Sequence, residues 1–127
     1  MNLTKEQIAD VRLVAYAYLR QGILDTALVF FEALLELDRE TPYDLHTVGA
    51  IYLEMGRPEK ALSFLDLSLQ KEPDNQIAQI NRVKAFSALG KKRQALLGAI
   101  DLKKSADPSI AKEAEALTLA YESKEIS

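Results

Sequence analysis

The chain has 127 residues, a formal net charge of −3 at pH 7 and no cysteine. This length suits one domain that buries a core without disulfide bonds or metal ions, and 28% charged with 48% hydrophobic residues is typical of a folded globular protein. The mixed charges create no basic field that would attract nucleic acid, and the lack of cysteine excludes a disulfide framework and a thiolate zinc site.

The first predicted element is an amphipathic helix over residues 5–21. Thr4 and Gln7 form the sequence signature of a capping box at its start. Apolar residues then recur at intervals of three and four, at Val11, Val14 and Tyr18. The residues before the helix lack the basic start and apolar run of a secretory signal, which favours a cytoplasmic location. No stretch is long and apolar enough for membrane insertion to be expected.

Six further helices are predicted from the same periodicity. Pro58 fits the first turn of a helix, and Asp107 with Pro108 can start the last one. No alternating pattern indicates a strand. The seven predicted helices cover residues 5–21, 24–37, 43–55, 58–71, 76–89, 92–105 and 108–123.

A period of 34 residues relates three of the turns between these helices. The columns that keep this interval are Gly22, Gly56 and Gly90, then Ala27, Ala61 and Ala95, and Leu28, Leu62 and Leu96. A glycine can adopt the left-handed conformation that ends one helix, and a small alanine lets the two helices of a hairpin cross closely. The sequence therefore predicts three repeated helical hairpins followed by one more helix.

The turn GRPEK at residues 56–60 raises the alternative of a phosphate-binding loop. It contains a single glycine, follows no predicted strand and lacks the Lys-Ser/Thr pair of such loops. A bend between two helices explains the glycine and also its recurrence, so nucleotide binding is not expected.

The repeats resemble the tetratricopeptide repeat (TPR), a helical hairpin with the outline W-x2-L-G-x2-Y, then A-x3-F, then a closing proline. The middle repeat carries this resemblance best, with Leu45, Val48, Gly49, Tyr52, Ala61, Leu65 and Pro73. The resemblance implies one all-α domain over residues 1–127, a right-handed superhelical stack of three hairpins at about 8–41, 42–75 and 76–108. A capping helix at about 108–123 should cover the last repeat with Ile110, Ala114, Leu117 and Tyr121.

The closing segment SADPSIAKEAEAL, in a small acidic three-repeat chain, is similar in style to the ends of needle-subunit chaperones of type III secretion. This resemblance implies a cytoplasmic, non-enzymatic chaperone that holds an apolar amphipathic helix of an aggregation-prone secreted subunit in its concave groove. A small co-chaperone would be a further partner. The rival interpretation is a passive adaptor or scaffold subunit of a larger complex.

In this fold the first helix of every hairpin lines the inside of the curve. The groove is therefore predicted from the side of each first helix that lies opposite its packed side. The expected partner-binding residues are Arg12, Leu13, Tyr16, Leu19, Tyr43, His46, Thr47, Ala50, Leu53, Ile77, Ile80, Asn81 and Lys84. Their apolar members would form a patch larger than isolated surface hydrophobes, which an amphipathic helix would complement. The alternative occupants are the chain's own terminal helix or a second copy of the protein.

Some TPR proteins instead grip an acidic carboxy-terminal tail with basic residues and asparagines on these inner faces. Here Tyr16, Thr47 and Ile77 stand where such polar groups would be needed. Only Arg12 and the pair Asn81 and Lys84 remain, so a carboxylate clamp is not expected.

His46 is the only histidine, and Asp44 lies two positions before it. The two could form a general base or part of a metal site, which is the remote enzyme interpretation. No second histidine or cysteine completes a transition-metal site, and no nucleophile has a convincing base beside it. We therefore expect no catalytic residue, no metal and no cofactor.

Overall fold

The computed structural model describes residues 2–126, and the side chains of residues 2–122. Within that range the chain forms seven helices and no strand, which confirms the all-α prediction. The helices are α1 (Lys5–Arg20), α2 (Leu24–Leu37), α3 (Pro42–Glu54), α4 (Pro58–Lys71), α5 (Gln76–Ala88), α6 (Lys92–Leu102) and α7 (Pro108–Ile126). No helix of the described residues is long and apolar enough to cross a membrane.

The boundaries follow local hydrogen-bonding signals. At the start of α1, the Gln7 amide donates to Thr4 Oγ1 and the Thr4 amide donates to Gln7 Oε1, so the predicted capping box is present. Pro58 occupies the first turn of α4, where its missing N–H costs nothing. Asp107 Oδ1 accepts from the Ser109 amide at 2.9 Å, at the start of α7.

Helix α6 ends at Leu102, three residues earlier than predicted. The Ser105 amide donates to the Leu102 carbonyl at 3.0 Å, which closes a turn instead of continuing the helix. The Ser105 hydroxyl lies 2.5 Å from Gln76 Oε1 and accepts from the Asp107 amide at 3.1 Å. These side-chain bonds of Ser105, one to α5 and one within its own turn, compete with the helical ones, which explains the early end.

The three turn glycines share one geometry. Their φ angles are 76° at Gly22, 75° at Gly56 and 75° at Gly90. In the second hairpin the Gly56 amide donates to the Leu53 carbonyl at 3.1 Å, and the Arg57 amide donates to the Tyr52 carbonyl at 2.9 Å. The other two turns repeat this pair of bonds, which is the Schellman motif. The glycines therefore end helices, as their spacing predicts.

Small residues set the distance between the two helices of a hairpin. Ala27, Ala61 and Ala95 are all fully buried, as expected for the crossing points. At Gly49 an added Cβ would lie 2.7 Å from Leu65 Cγ, so α3 and α4 are as close as their backbones allow. A larger side chain at these positions would force the helices apart.

Two apolar clusters form the core. The larger joins the first two hairpins, and the smaller joins α5, α6 and α7. From α7, Ile110, Ala114 and Tyr121 are buried and Leu117 packs against them. The Tyr121 hydroxyl also donates to Ser87 Oγ at 2.7 Å. The last helix thus covers the third hairpin with the four predicted residues.

Val14 differs from the prediction. It belongs to the apolar stripe of α1, yet 46% of it is exposed, whereas its equivalent Val48 is fully buried in the second repeat. Val48 lies in a core that the first hairpin completes. Among residues 2–122 no preceding helix completes such a core around Val14 of α1, which explains why Val14 is exposed.

Candidate functional site

The candidate site is the face formed by the first helices of the hairpins. Helices α3 and α5 pack directly against each other, but in the described chain no Cα atom of α1 lies within 8 Å of one in α3. The separation leaves a cleft of about 390 Å³. The side chains that line it are Ala9, Arg12, Leu13, Tyr16 and Tyr43.

Large apolar side chains are exposed on all three helices of this face. Leu13 is 68% exposed, Tyr16 43%, Tyr43 39% and Ile77 54%. Leu13, Tyr16 and Tyr43 share the cleft, and Ile77 occupies on α5 the position that Tyr43 has on α3. We call these four residues the apolar row.

Tyr43 is held in place by aromatic neighbours. Its ring centroid lies 6.5 Å from that of Phe31 and 5.3 Å from that of His46, which meets it edge to face. Burial raises the pKa of the Tyr43 hydroxyl, and Tyr16 adds to the effect. The phenol therefore stays uncharged at neutral pH, in keeping with an apolar contact surface.

Arg12 bridges the gap between α1 and α3. Its Nε and Nη2 atoms donate to Asp44 Oδ1 and Oδ2 at 2.9 and 2.7 Å, the fork geometry that suits a carboxylate. The Asp44 side chain is completely buried, and that of Arg12 is 31% exposed. The hydrogen bond to Asp44 raises the pKa of Arg12. The charge of this predicted ligand-binding residue is therefore already neutralised.

His46 is half-buried beside Tyr43. Burial lowers its pKa, while the nearby carboxylates of Glu72 and Asp44 oppose that shift. Its Nδ1 atom is buried without a hydrogen-bond partner in the described structure. Asp44 is committed to Arg12, so it does not orient the imidazole as a base would require. Residues 2–122 contain no group of three side chains suited to hold a metal ion.

Thr47 and Ile80 were predicted to face the groove, and this is wrong. Thr47 is 5% exposed, and its hydroxyl donates to the Tyr43 carbonyl of its own helix at 2.7 Å. Ile80 is 3% exposed and belongs to the cluster that contains Ile110 and Ala114 of α7. The structure therefore removes both residues from the surface open to a partner.

The error at Ile80 has a simple geometric cause. Its equivalents in the earlier repeats are Arg12 and His46, and Arg12 reaches across to the next first helix. This position thus lies at the seam between neighbouring first helices. Helix α7 takes the place of a fourth first helix, so it covers Ile80. The 34-residue spacing identifies such equivalents and could have revealed the seam.

Helix α7 also engages Lys84. Its Nζ atom lies 2.5 Å from Glu113 Oε2 on α7. The remaining predicted residues, Leu19, Ala50, Leu53 and Asn81, are half-buried. On the face formed by the first helices, the exposed apolar side chains therefore lie around the cleft between α1 and α3 and at Ile77.

No protein-family model matches the chain, and no curated protein matches it. Solved structures do match. The type III secretion translocator chaperone SycD of Yersinia enterocolitica superposes with a TM-score of 0.88, at 14% identity, over 99% of this chain and 90% of that one. PcrH, solved with the chaperone-binding region of PopD, gives 0.86 at 19% identity over 98% and 97% of the two chains. PcrH is a protein of Pseudomonas aeruginosa.

A third structure comes from a different setting. The first TPR domain of Spaghetti (RPAP3), bound to an HSP90 peptide, superposes with a TM-score of 0.79 at 16% identity, over 95% of this chain and 98% of that one. All three similarities extend over almost the whole length of both chains. The chain therefore has the TPR fold predicted from its 34-residue period.

Proposed function

We propose that the protein is a non-enzymatic chaperone whose groove holds an apolar, amphipathic segment of a type III secretion subunit. The observation that carries the proposal is the apolar row. Its four side chains are exposed on the first helices of the three hairpins, and three of them, Leu13, Tyr16 and Tyr43, border a cleft of about 390 Å³. A patch of this kind favours a partner that covers it.

The energy of such a contact suits reversible binding. Burying each large apolar side chain stabilises a complex by about 1.5 to 3 kcal/mol. The loss of translational and rotational freedom opposes it by roughly 4 to 15 kcal/mol. Because these side chains are already partly covered, the row supplies a moderate affinity, which allows a chaperone to release its client.

The client class is supported by the similar structures. SycD is a type III secretion translocator chaperone, and PcrH was solved with the chaperone-binding region of PopD. The closing segment SADPSIAKEAEAL is similar in style to the ends of needle-subunit chaperones. A needle subunit therefore stays our predicted client, and a translocator subunit is the competing one.

Recognition of an acidic peptide tail fits this chain less well. Arg12 is already paired with Asp44, and Lys84 lies against Glu113. Neither cation is free to bind a terminal carboxylate without breaking an existing ion pair. An apolar segment needs no such rearrangement, so it is the better match to the row.

Co-expression of the full chain with a needle subunit, and separately with a translocator subunit, tests the proposal. The true client should change from insoluble or fibrous to a soluble stoichiometric complex. Tyr16→Arg and Ile77→Asp should abolish that complex, because each places a charge in the apolar row. Leu97→Asp is the matched control, since Leu97 is 58% exposed on α6, outside the row.

Circular dichroism should show that all three variants keep wild-type helicity, because the substituted side chains are exposed. If both row variants still solubilise the client as well as the wild type, the groove is not the binding site. If neither subunit is solubilised, the proposed client class is wrong.

A further inference from the structure

The third hairpin lacks an aromatic pair that the other two hairpins contain. The pairs are Tyr18 with Phe30, whose ring centroids are 5.8 Å apart, and Tyr52 with Phe64, at 5.7 Å. Both pairs are stacked, and their members are one period of 34 residues apart. In the third hairpin the first ring is kept as Phe86, but the second position is Gly98. One ring of the repeated pair is therefore missing between α5 and α6.

A cavity of about 200 Å³ lies beside Phe86 and Gly98. The chain cannot fill it from position 98, because a Cβ added to Gly98 would lie 2.7 Å from Val83 Cγ2. At the positions equivalent to Val83 and Gly98 the second hairpin has Gly49 and Phe64, so the large and the small residue are exchanged. A closed apolar cavity of about 150 Å³ binds benzene. The cavity in the third hairpin therefore has room for an aromatic ring.

The cavity also has a polar rim. Arg82 stands where the second hairpin has the buried Val48. Its Nε atom donates to Asp66 Oδ1 at 2.7 Å, and its guanidinium carbon lies 4.7 Å from the Phe86 ring centroid. Asp101 lines the same cavity, and within residues 2–122 no basic group lies within 4.0 Å of its carboxylate. The cavity thus combines an apolar floor with a cation and a hydrogen-bond acceptor.

We propose that this cavity binds a tyrosine or tryptophan side chain of a protein partner. We call it the ring pocket, lined by Arg82, Val83, Phe86, Gly98 and Asp101. The partner's ring supplies the second aromatic group that the third hairpin lacks. It packs against Phe86 and Arg82, since a guanidinium attracts the face of an aromatic ring. The phenol O–H or indole N–H donates to the Asp101 carboxylate.

The charge of α6 indicates the kind of segment that carries this ring. Residues 91–104 contain five basic residues and one acidic residue. Within residues 2–122, none of these five cations has a carboxylate within 4.0 Å. They attract a segment of opposite charge. The partner therefore presents its aromatic residue within an acidic segment. The proposal does not rest on the proposed function, because no residue of the apolar row lines the ring pocket.

Nuclear magnetic resonance titration of the full chain tests the proposal with two acidic pentapeptides. One has tyrosine at its centre, and the other has leucine there. The tyrosine peptide should bind about tenfold more tightly, because only its ring stacks. Its ring protons should show nuclear Overhauser effects (NOEs) to the methyl groups of Val83 and Leu102, which line the pocket. Equal affinity of the two peptides, or NOEs to the apolar row alone, would overturn the proposal.

The double variant Val83→Gly/Gly98→Phe is an independent check. It copies the Gly49 and Phe64 arrangement and fills the ring pocket with the chain's own ring. The preference for the tyrosine peptide should disappear, while circular dichroism shows wild-type helicity. A folded double variant that keeps the preference contradicts the proposal, and the NOEs of the wild type decide if this variant does not fold. Leu119→Asp, an exposed change on α7, is the control and should leave peptide binding unchanged.

Discussion

Arg12 shows how one side chain can belong to a binding face and yet be committed elsewhere. Its guanidinium lies at the cleft between α1 and α3, but both of its hydrogen bonds go to the buried Asp44. Since the backbones of α1 and α3 do not approach closely, this ion pair ties the first hairpin to the second. The pair therefore shapes the cleft that a client would occupy.

The two partners of this pair should tolerate substitution unequally. Arg12→Met leaves the completely buried Asp44 carboxylate without a counter-charge and should lower the free energy of unfolding by about 3 to 5 kcal/mol. Asp44→Asn leaves Arg12, which can still reach water, and should cost on the order of 1 to 3 kcal/mol. Urea unfolding at neutral pH measures both. Equal losses, or the opposite order, would contradict the assigned burial.

His46 should make stability depend on pH. Burial lowers the pKa of His46 in the folded protein below the usual value of about 6.5. As the pH falls through that value, the unfolded state takes up a proton that the folded state resists, so stability falls. The free energy of unfolding should be constant at pH values above the usual histidine pKa and should decrease as the pH falls below it. His46→Gln should reduce this decrease in urea midpoints measured from pH 7.5 to 5.5, and an unchanged pH profile would refute the assignment.

At the residue level the sequence predicted the exposed apolar members of the face better than the polar ones. Leu13, Tyr16, Tyr43 and Ile77 are exposed where periodicity placed them. The pairing of Arg12 with Asp44 could not be predicted, because it depends on how far α1 stands from α3. Periodicity fixes the direction of a side chain on its own helix but not its distance from the next one.

At the level of elements, the turns between the paired helices were the most predictable feature. The glycines at positions 22, 56 and 90 are needed for one backbone conformation, which leaves a clear trace in the sequence. The early end of α6 left no such trace, because it depends in part on the bond from Ser105 to Gln76 of α5. Local signals therefore predicted where helices start and turn, whereas a tertiary contact contributes to where α6 ends.

Gly56 offers a direct test of the turn assignment. A Cβ added there would meet no atom within 4 Å, so steric packing does not penalise Gly56→Ala. The φ angle of 75° is nevertheless unfavourable for alanine, and we expect a loss of about 1 to 2 kcal/mol in unfolding free energy. Gly56→Asn is the matched control and should cost less, because asparagine adopts this conformation more readily. Equal stability of the alanine variant and the wild type would be inconsistent with this geometry.

At the scale of the whole molecule, the stack separates two surfaces. The first helices carry the apolar row, and the third hairpin holds the ring pocket beside α4. Helix α7 covers the end of the stack, buries Ile80 and pairs Glu113 with Lys84.

Photo-crosslinking in the native cell would detect whether the apolar row contacts the client. A photoreactive phenylalanine analogue replaces Tyr43 in one variant and Leu119, which is 55% exposed on α7, in the other. We expect an adduct between position 43 and a type III secretion subunit, identified by mass spectrometry, and none from position 119. A client adduct from position 119 alone, or the absence of any client adduct at position 43, would contradict it.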